Sequence, residues 1–355
     1  MKGAKMMEAK ITEMLGLAVK AGVSDIHILP NKNSYDIYFR VPSGLKKMMM
    51  LSVVSGEKYL SYFKFLSNMD IGEKRKPQSG ACHIVINQEE IELRLSTISN
   101  YRYQESMVLR LLYDHNDRKR NQMHVFFPKD YQTLEKMLKV KSGLILFSGP
   151  VSSGKTTTIY HFLRKLYDEE PLQIITMEDP VEIKEPRFLQ SEINEKAGLV
   201  YDVLIKQSLR HHPDILVIGE IRDENTARMA VRSALTGHLV IATIHAKECI
   251  GVITRMLDLN VSHEQLKQSL IGIVSQRMLN KYCYLCEGAC SIYCSHFSVY
   301  EKKAILFELL NDQPLKNILY EEGRGAQFVR MNHKLRKAYA CGYISSKDYE
   351  SNQIF

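Results

Sequence analysis

Apolar residues follow two different rhythms on either side of residues 114–122. Near the start, Met7, Ile11, Met14, Leu15 and Ala18 recur at helical spacing, which predicts a helix that buries one face and ends at Gly22. Two short alternating runs follow, Asp25–Leu29 and Tyr35–Phe39, as a half-buried sheet requires, with a turn over residues 30–34. A helix is expected from about residue 57 to residue 69, then strands at Ile84–Ile86, Ile91–Thr97 and Met107–Leu112. Residues 1–113 therefore read as an α+β domain. Asp114 to Gln122 carries no apolar side chain and is the expected interdomain linker. Over residues 123–355 the apolar runs become continuous: Leu144–Phe147, Ile174–Met177, Ile215–Ile218 and Leu239–Ile244. Such runs suit parallel strands covered on both faces by helices. Ile159, Phe162, Leu163 and Leu166 mark one covering helix, and Ala227, Ala230, Val231 and Ala234 another.

A length of 355 residues fits two domains, and 45% apolar with 25% charged residues is an ordinary globular composition. The net charge of +8 makes anionic lipid, nucleic acid or acidic partners plausible without choosing among them. The first residues lack the apolar core and cleavage site of a secretory signal, and no apolar run approaches the ~18 residues needed to span a bilayer. The expected location is cytoplasmic, with any membrane role peripheral. Seven cysteines in a reducing compartment suggest thiols or metal ligands rather than a disulfide framework.

The chemistry begins at Gly149-Pro150-Val151-Ser152-Ser153-Gly154-Lys155-Thr156, followed by Thr157, a G-x-x-x-x-G-K-[ST] loop between an expected strand and an expected helix. Backbone N–H groups from Ser152 to Thr156 would surround nucleotide phosphates, helped by the partial positive charge of the helix N-terminus. Lys155 adds a point charge on the β- and γ-phosphates, and the Thr156 hydroxyl is a ligand for Mg²⁺. Three further strands deliver polar residues to the same sheet edge, where ligands of open α/β sheets bind. Glu220, after Ile215–Ile218, is placed to hold Mg²⁺ through water or to orient the attacking water. Glu178, after Ile174–Met177, is placed to polarise that water, and His245, after Leu239–Ile244, to feel the γ-phosphate. The plain alternatives are a solvated strand-end acid at each glutamate and a structural histidine.

Taken in order, the phosphate loop, Glu178-Asp179-Pro180-Val181-Glu182, Gly219-Glu220-Ile221-Arg222-Asp223 and Thr236-Gly237-His238 to His245 resemble the ATPases of type II secretion and type IV pilus assembly. Ser24-Asp25-Ile26-His27 is similar to the start of that family's second N-terminal domain. The short length, Phe65 to Glu73 and Cys283 to Cys294 look most like its competence branch, which drives the DNA-uptake pseudopilus of Gram-positive bacteria. The resemblance implies an α/β fold: a RecA-like P-loop motor domain with a smaller α+β, PAS-like N-terminal domain. It implies a homohexameric motor that hydrolyses ATP at the inner face of the cell membrane. There it moves a polytopic platform protein and, through it, pilins, without direct nucleic-acid binding. It also implies N-terminal arginines at the nucleotide, which fit Arg94 and Arg110; as bare sequence each is equally a strand-face arginine. The family loop usually has threonine and glycine where this chain has Val151 and Ser152, and losing that glycine narrows the allowed backbone angles.

Cys283, Cys286, Cys290 and Cys294 place four thiols within twelve residues. Four such ligands suit tetrahedral Zn²⁺, and buried free thiols are the other reading. Larger relatives carry two widely separated pairs, so the match in this loop is imperfect. Rival functions are a RecA-like DNA translocase or helicase, a type II secretion ATPase for another cargo, and a scaffold that binds nucleotide without hydrolysing it. A translocase needs a loop rich in basic and aromatic residues, and no such concentrated segment is found. A scaffold has no need of both Glu178 and Glu220.

Overall fold

The computed structural model describes residues 2–41, 44–86, 89–113, 123–290, 294, 296–298, 301–320 and 327–354. Contacts divide the chain into two compact units: Met1–Arg120 with Cys283–Lys302, and Asn121–Tyr282 with Lys303–Phe355. The expected linker, 114–122, lies outside the described residues, and the cysteine loop, expected inside the motor domain, groups with the first unit.

In the first unit, helix α1 (Lys2–Lys20) precedes strands β1 (Asp25–Pro30), β2 (Ser34–Val41) and β3 (Gly44–Ser52). Helix α2 (Val53–Leu66) then leads into β4 (Gln78–Ile86), β5 (Glu89–Ser99) and β6 (Glu105–Tyr113). The strands form one antiparallel sheet in the order β3-β2-β1-β6-β5-β4. The helical stripe behaves as expected, since Ile11, Met14, Leu15 and Ala18 are buried in one core with Ile26, Ile28, Phe39, Leu93 and Leu109. Strand β3 was not anticipated, because Met48-Met49-Met50 neither alternates nor contains β-branched residues.

The second unit contains α3 (Pro128–Met137), β7 (Gly143–Ser148), α4 (Lys155–Glu169), β8 (Ile174–Glu178), β9 (Leu189–Glu192) and α5 (Tyr201–Ser208). It continues with β10 (Ile215–Ile218), α6 (Glu224–Leu235), β11 (Leu239–Thr243), α7 (Cys249–Asp258), α8 (His263–Ser269) and β12 (Leu270–Asn280). The short strands β13 (Tyr282–Cys283) and β14 (Gly288–Ala289) pair with each other in the cysteine loop, which groups with the first unit, and the second unit resumes with β15 (Lys303–Asn311), α9 (Asp312–Tyr320), α10 (Met331–Ala340) and α11 (Ser346–Ser351). The sheet order is β15-β12-β7-β11-β10-β8-β9, parallel except for β15. Alternate residues of its inner strands face opposite cores. Leu144, Leu146, Val240 and Ala242 join Ala230 of α6 and Val252 and Met256 of α7, while Ile145, Phe147 and Ile241 join Ile159, Phe162 and Leu163 of α4. Both faces are covered, so the strands are apolar throughout, as their sequence required. Among the described residues no helix is long and apolar enough to cross a membrane.

Candidate functional site

The parallel registers align the carboxyl ends of four strands. Ile218 lies beside Met177 and Ala242, and Thr243 beside Phe147, so the residues that follow β7, β8, β10 and β11 meet at one edge. Each of these ends carries the polar residue expected of it.

The loop after β7 is held from the side by β12. A Cβ on Gly149, whose φ is 140°, would stand 2.3 Å from the Gln276 carbonyl oxygen, and the Gln276 amide donates to the Ser153 carbonyl at 2.7 Å. Only glycine fits the first of these contacts. Gly154, at φ 84°, caps α4 without a side-chain hydrogen bond, which leaves the helix N-terminus for a ligand. The Ser153 N–H, expected among the phosphate donors, is instead taken by the Pro150 carbonyl at 3.2 Å, which closes the loop's own turn. The Lys155 ammonium donates to the carbonyls of Gly149 and Pro150 at 3.0 and 3.3 Å. Burial pushes its pKa down, partly offset by the charges of Glu220 and Glu182. A desolvated ammonium bonded to neutral carbonyls gains directly from an anionic phosphate. Buried Ser153 Oγ and Thr158 Oγ1 have no hydrogen-bond partner among the described residues, as in a site completed by ligand or water.

The two glutamates occupy different surroundings. Glu178 is buried, and its Oε1 accepts from Tyr160 of α4 and, at 2.8 Å, from Thr176. Burial raises its pKa, against the lowering effect of these donors. Glu220 is mostly buried but reaches the open edge. His245 Nε2 lies 3.0 Å from its Oε1, and Arg222 Nε donates to its Oε2 at 2.7 Å while Arg222 also meets Asp179 at 3.2 Å. The turn bearing Glu220 is locked by β11, because Thr243 donates to the Gly219 carbonyl at 2.5 Å and Ile221 N–H donates to the Thr243 carbonyl at 2.8 Å. Lys155, Glu220 and His245 thus share one edge, and Glu178 is anchored below it against α4.

In the first unit, Arg94 and Arg110 stand directly opposite each other on β5 and β6. The same register row runs on through Asp25 of β1 to Arg40 of β2. Asp25 accepts from Arg110 Nε at 3.0 Å and lies 3.9 Å from Arg40, while Arg94 Nε is 3.3 Å from Glu92. The cysteine loop is tighter than its spacing suggested. Ligand atoms of Cys283, Cys286, Cys294 and His296 all lie within 4.8 Å of one another, with Cys290 Sγ 3.4 Å from Cys294 Sγ. A tetrahedron of thiolates about 2.3 Å from a zinc ion has edges of about 3.8 Å, so this donor set fits the metal. Although desolvation opposes it, hydrogen bonds from the Cys286 backbone and His296 hold the Cys283 thiol down at about 6.

A mostly parallel sheet with a phosphate loop after an inner strand, and carboxylates delivered to the same edge, defines a RecA-like P-loop ATPase. Residues 1–349 match the family described as type II/IV secretion system protein, and the chain belongs to that family. It is similar to competence protein ComGA of Bacillus subtilis (strain 168), 38% identical over 331 residues that cover 92% of each chain. ComGA of Streptococcus pneumoniae is 42% identical over 274 residues, 77% of this chain and 85% of that one. Among solved structures, the ATPase DotB of Legionella pneumophila shares the fold, with a TM-score of 0.73 and 18% identity, over 97% of this chain and 95% of that one. The family read from the ordered motifs is thereby borne out.

Sequence reasoning missed Gln276, Tyr160, Arg222, Arg40 and His296. Gln276 sits between Ser275 and Arg277 and carried no apolar-run signal; His296 lies two residues beyond the last cysteine and was available to the same ligand count. Tyr160 and Arg40 act through helix–strand and cross-strand neighbours that spacing does not reveal, and Arg222 lay within a quoted motif without a role assigned to it.

Proposed function

We propose that this chain is the hexameric motor that hydrolyses ATP to assemble a competence pseudopilus for DNA uptake. In this reading it works at the inner face of the cell membrane against a polytopic platform protein, and on pilins only through that protein. The observation that carries it is the half-buried Lys155 ammonium held by the carbonyls of a glycine-fixed loop, on the same sheet edge as Glu220 and His245. The likeness to competence proteins supports the cargo. Lys155 and the α4 N-terminus bind the phosphates, and Thr156, with Glu220 through water, would hold Mg²⁺, which neutralises charge on the transferred group. Glu220, steadied by Arg222 and His245, orients the water, and Glu178 polarises it from below. Arg94 and Arg110 supply guanidinium charge to the phosphoryl group in the assembled ring. Cys283, Cys286, Cys294 and His296 would hold one Zn²⁺ that fixes the loop, with Cys290 as the neighbouring thiol.

Lys155→Ala is expected to abolish hydrolysis and pseudopilus assembly; near-normal turnover would refute the loop assignment. Hydrolysis should rise with the platform protein present, whereas a rise with DNA alone would favour a translocase. Mixing Arg94→Ala with Lys155→Ala protein tests the ring, because recovered hydrolysis requires an arginine acting across a subunit boundary. Mixed hexamers that stay inactive would refute it.

A further inference from the structure

A cavity of about 530 Å³ lies beside the first two residues of the phosphate loop, bounded by Gly149 and Pro150, by His245 and Lys247 after β11, and by Arg277 of β12. The chain at Gln353 and Ile354 forms its outer wall, held by Asn332, whose amide N donates to the Ile354 carbonyl at 2.7 Å. Every titratable side chain lining this cavity is basic. Its most unusual member is Arg277. Strand alternation turns Gln276 toward the loop, where it fixes Ser153, and turns Arg277 to the other face of the sheet. There Arg277 Nε is buried and has no hydrogen-bond partner among the described residues. The acid whose charge reaches it, Glu308, accepts instead from the backbone N–H groups of Cys249 and Met331. A guanidinium stays charged at any physiological pH, and a buried donor of that kind without a partner costs free energy unless a ligand completes it.

We propose that Arg277, flanked by His245 and Lys247, forms an anion cradle that receives the terminal phosphate of a bound nucleoside triphosphate and so distinguishes triphosphate from diphosphate. This inference rests on the nucleotide reading above and adds to it a residue of the same chain, separate from Lys155 and from the arginines of the first unit. The planar fork suits phosphate oxygens, whereas the β-phosphate of a diphosphate already has Lys155.

The test is to titrate full-length wild-type, Arg277→Ala and Arg277→Lys protein with Mg·ADP and with a non-hydrolysable Mg·ATP analogue, alongside melting without nucleotide. ADP affinity is expected to stay within about twofold in both variants, while affinity for the triphosphate analogue falls by about tenfold to a hundredfold in Arg277→Ala and by less in Arg277→Lys. Equal loss for both nucleotides, or no loss for either, would overturn the cradle. Should Arg277→Ala melt before the titration, Arg277→Lys decides, and its unchanged preference would count against the proposal. Wild-type protein that binds neither nucleotide would instead refute the nucleotide reading itself.

Discussion

Ser152 is the residue at which this chain departs from the glycine usual in its family, and it stands at φ 62°, in the left-handed region. An L-residue there pays roughly 1–2 kcal/mol in crowding between its Cβ and the backbone. Replacing it with glycine removes that strain but gives the unfolded chain more freedom, worth about 0.4–1 kcal/mol in the opposite direction. The strain relief is the larger of the two, so Ser152→Gly should match the parent or exceed its stability by about 1 kcal/mol. Ser152→Val should not, because a β-branched side chain at positive φ adds about 1 kcal/mol or more of strain that the loop has no freedom to release. The neighbouring contacts make the loop rigid: Gly149 abuts Gln276, and the Ser153 N–H and carbonyl are both engaged. Thermal unfolding without nucleotide should give Tm values within about 2–4 °C of the parent for Ser152→Gly and lower by a similar amount or more for Ser152→Val, given about 2–4 °C per kcal/mol for domains of 150–250 residues. If Ser152 belongs to the phosphate-binding curve as proposed, ADP affinity should follow the same order. A valine variant that melts and binds ADP like the parent would refute the idea that this backbone angle is costly and enforced.

Glu220→Gln should still bind ATP yet lose hydrolysis by on the order of a hundredfold, measured as single-turnover phosphate release, because the amide keeps the shape and loses the charge facing water and metal; loss of binding would point to a structural role. Protein purified without chelator should carry about one zinc per chain by elemental analysis, lost when Cys283 and Cys286 are both changed to serine; a stable, active, metal-free parent would reject the site. Burial pushes the Glu185 carboxyl up, but the guanidiniums of Arg187 and Arg164 outweigh it and hold it at about 2 against an ordinary 4.5. Its contribution to stability is therefore present above about pH 4.5 and lost as pH falls through about 2, so Glu185→Gln should flatten the acid limb of a stability-versus-pH curve, and an unchanged limb would count against it.

The parallel core was legible because strands buried on both faces have little choice but to be apolar, and β7, β8, β10 and β11 were found within a residue or two. The edges were harder. Strand β12 contains buried Ser275 and Gln276, and β15 buries Glu308, so neither reads as a simple apolar run. Those polar residues are there for reasons that only the assembled sheet shows: Gln276 fixes the phosphate loop, and Glu308 accepts from the first backbone N–H groups of two helices. The polar edge of the sheet was legible for the same reason as the core, since a carboxylate at the end of an apolar strand has one direction to go. What spacing left open was how each acid is held, Glu178 by Tyr160 across 18 positions and Glu220 by Arg222 two positions away.

The arginines of the first unit carry that argument furthest. Like charges placed directly opposite on an antiparallel pair destabilise it by about 0.2–1 kcal/mol, so Arg94 facing Arg110 is a local cost. Asp25, buried at the centre of the row, offsets the charge of Arg110 and, more distantly, of Arg40, while Glu92 does the same for Arg94. Each acid thereby also fixes an arginine in place, which reduces the side-chain entropy still to be lost when a phosphate arrives. Stability alone would be served better by breaking the row with a neutral residue. Three guanidiniums in one register, steadied by two carboxylates, are what a surface needs if its task is to meet a polyanion, and the row puts Arg40, which no motif had singled out, beside the two arginines the family resemblance selects.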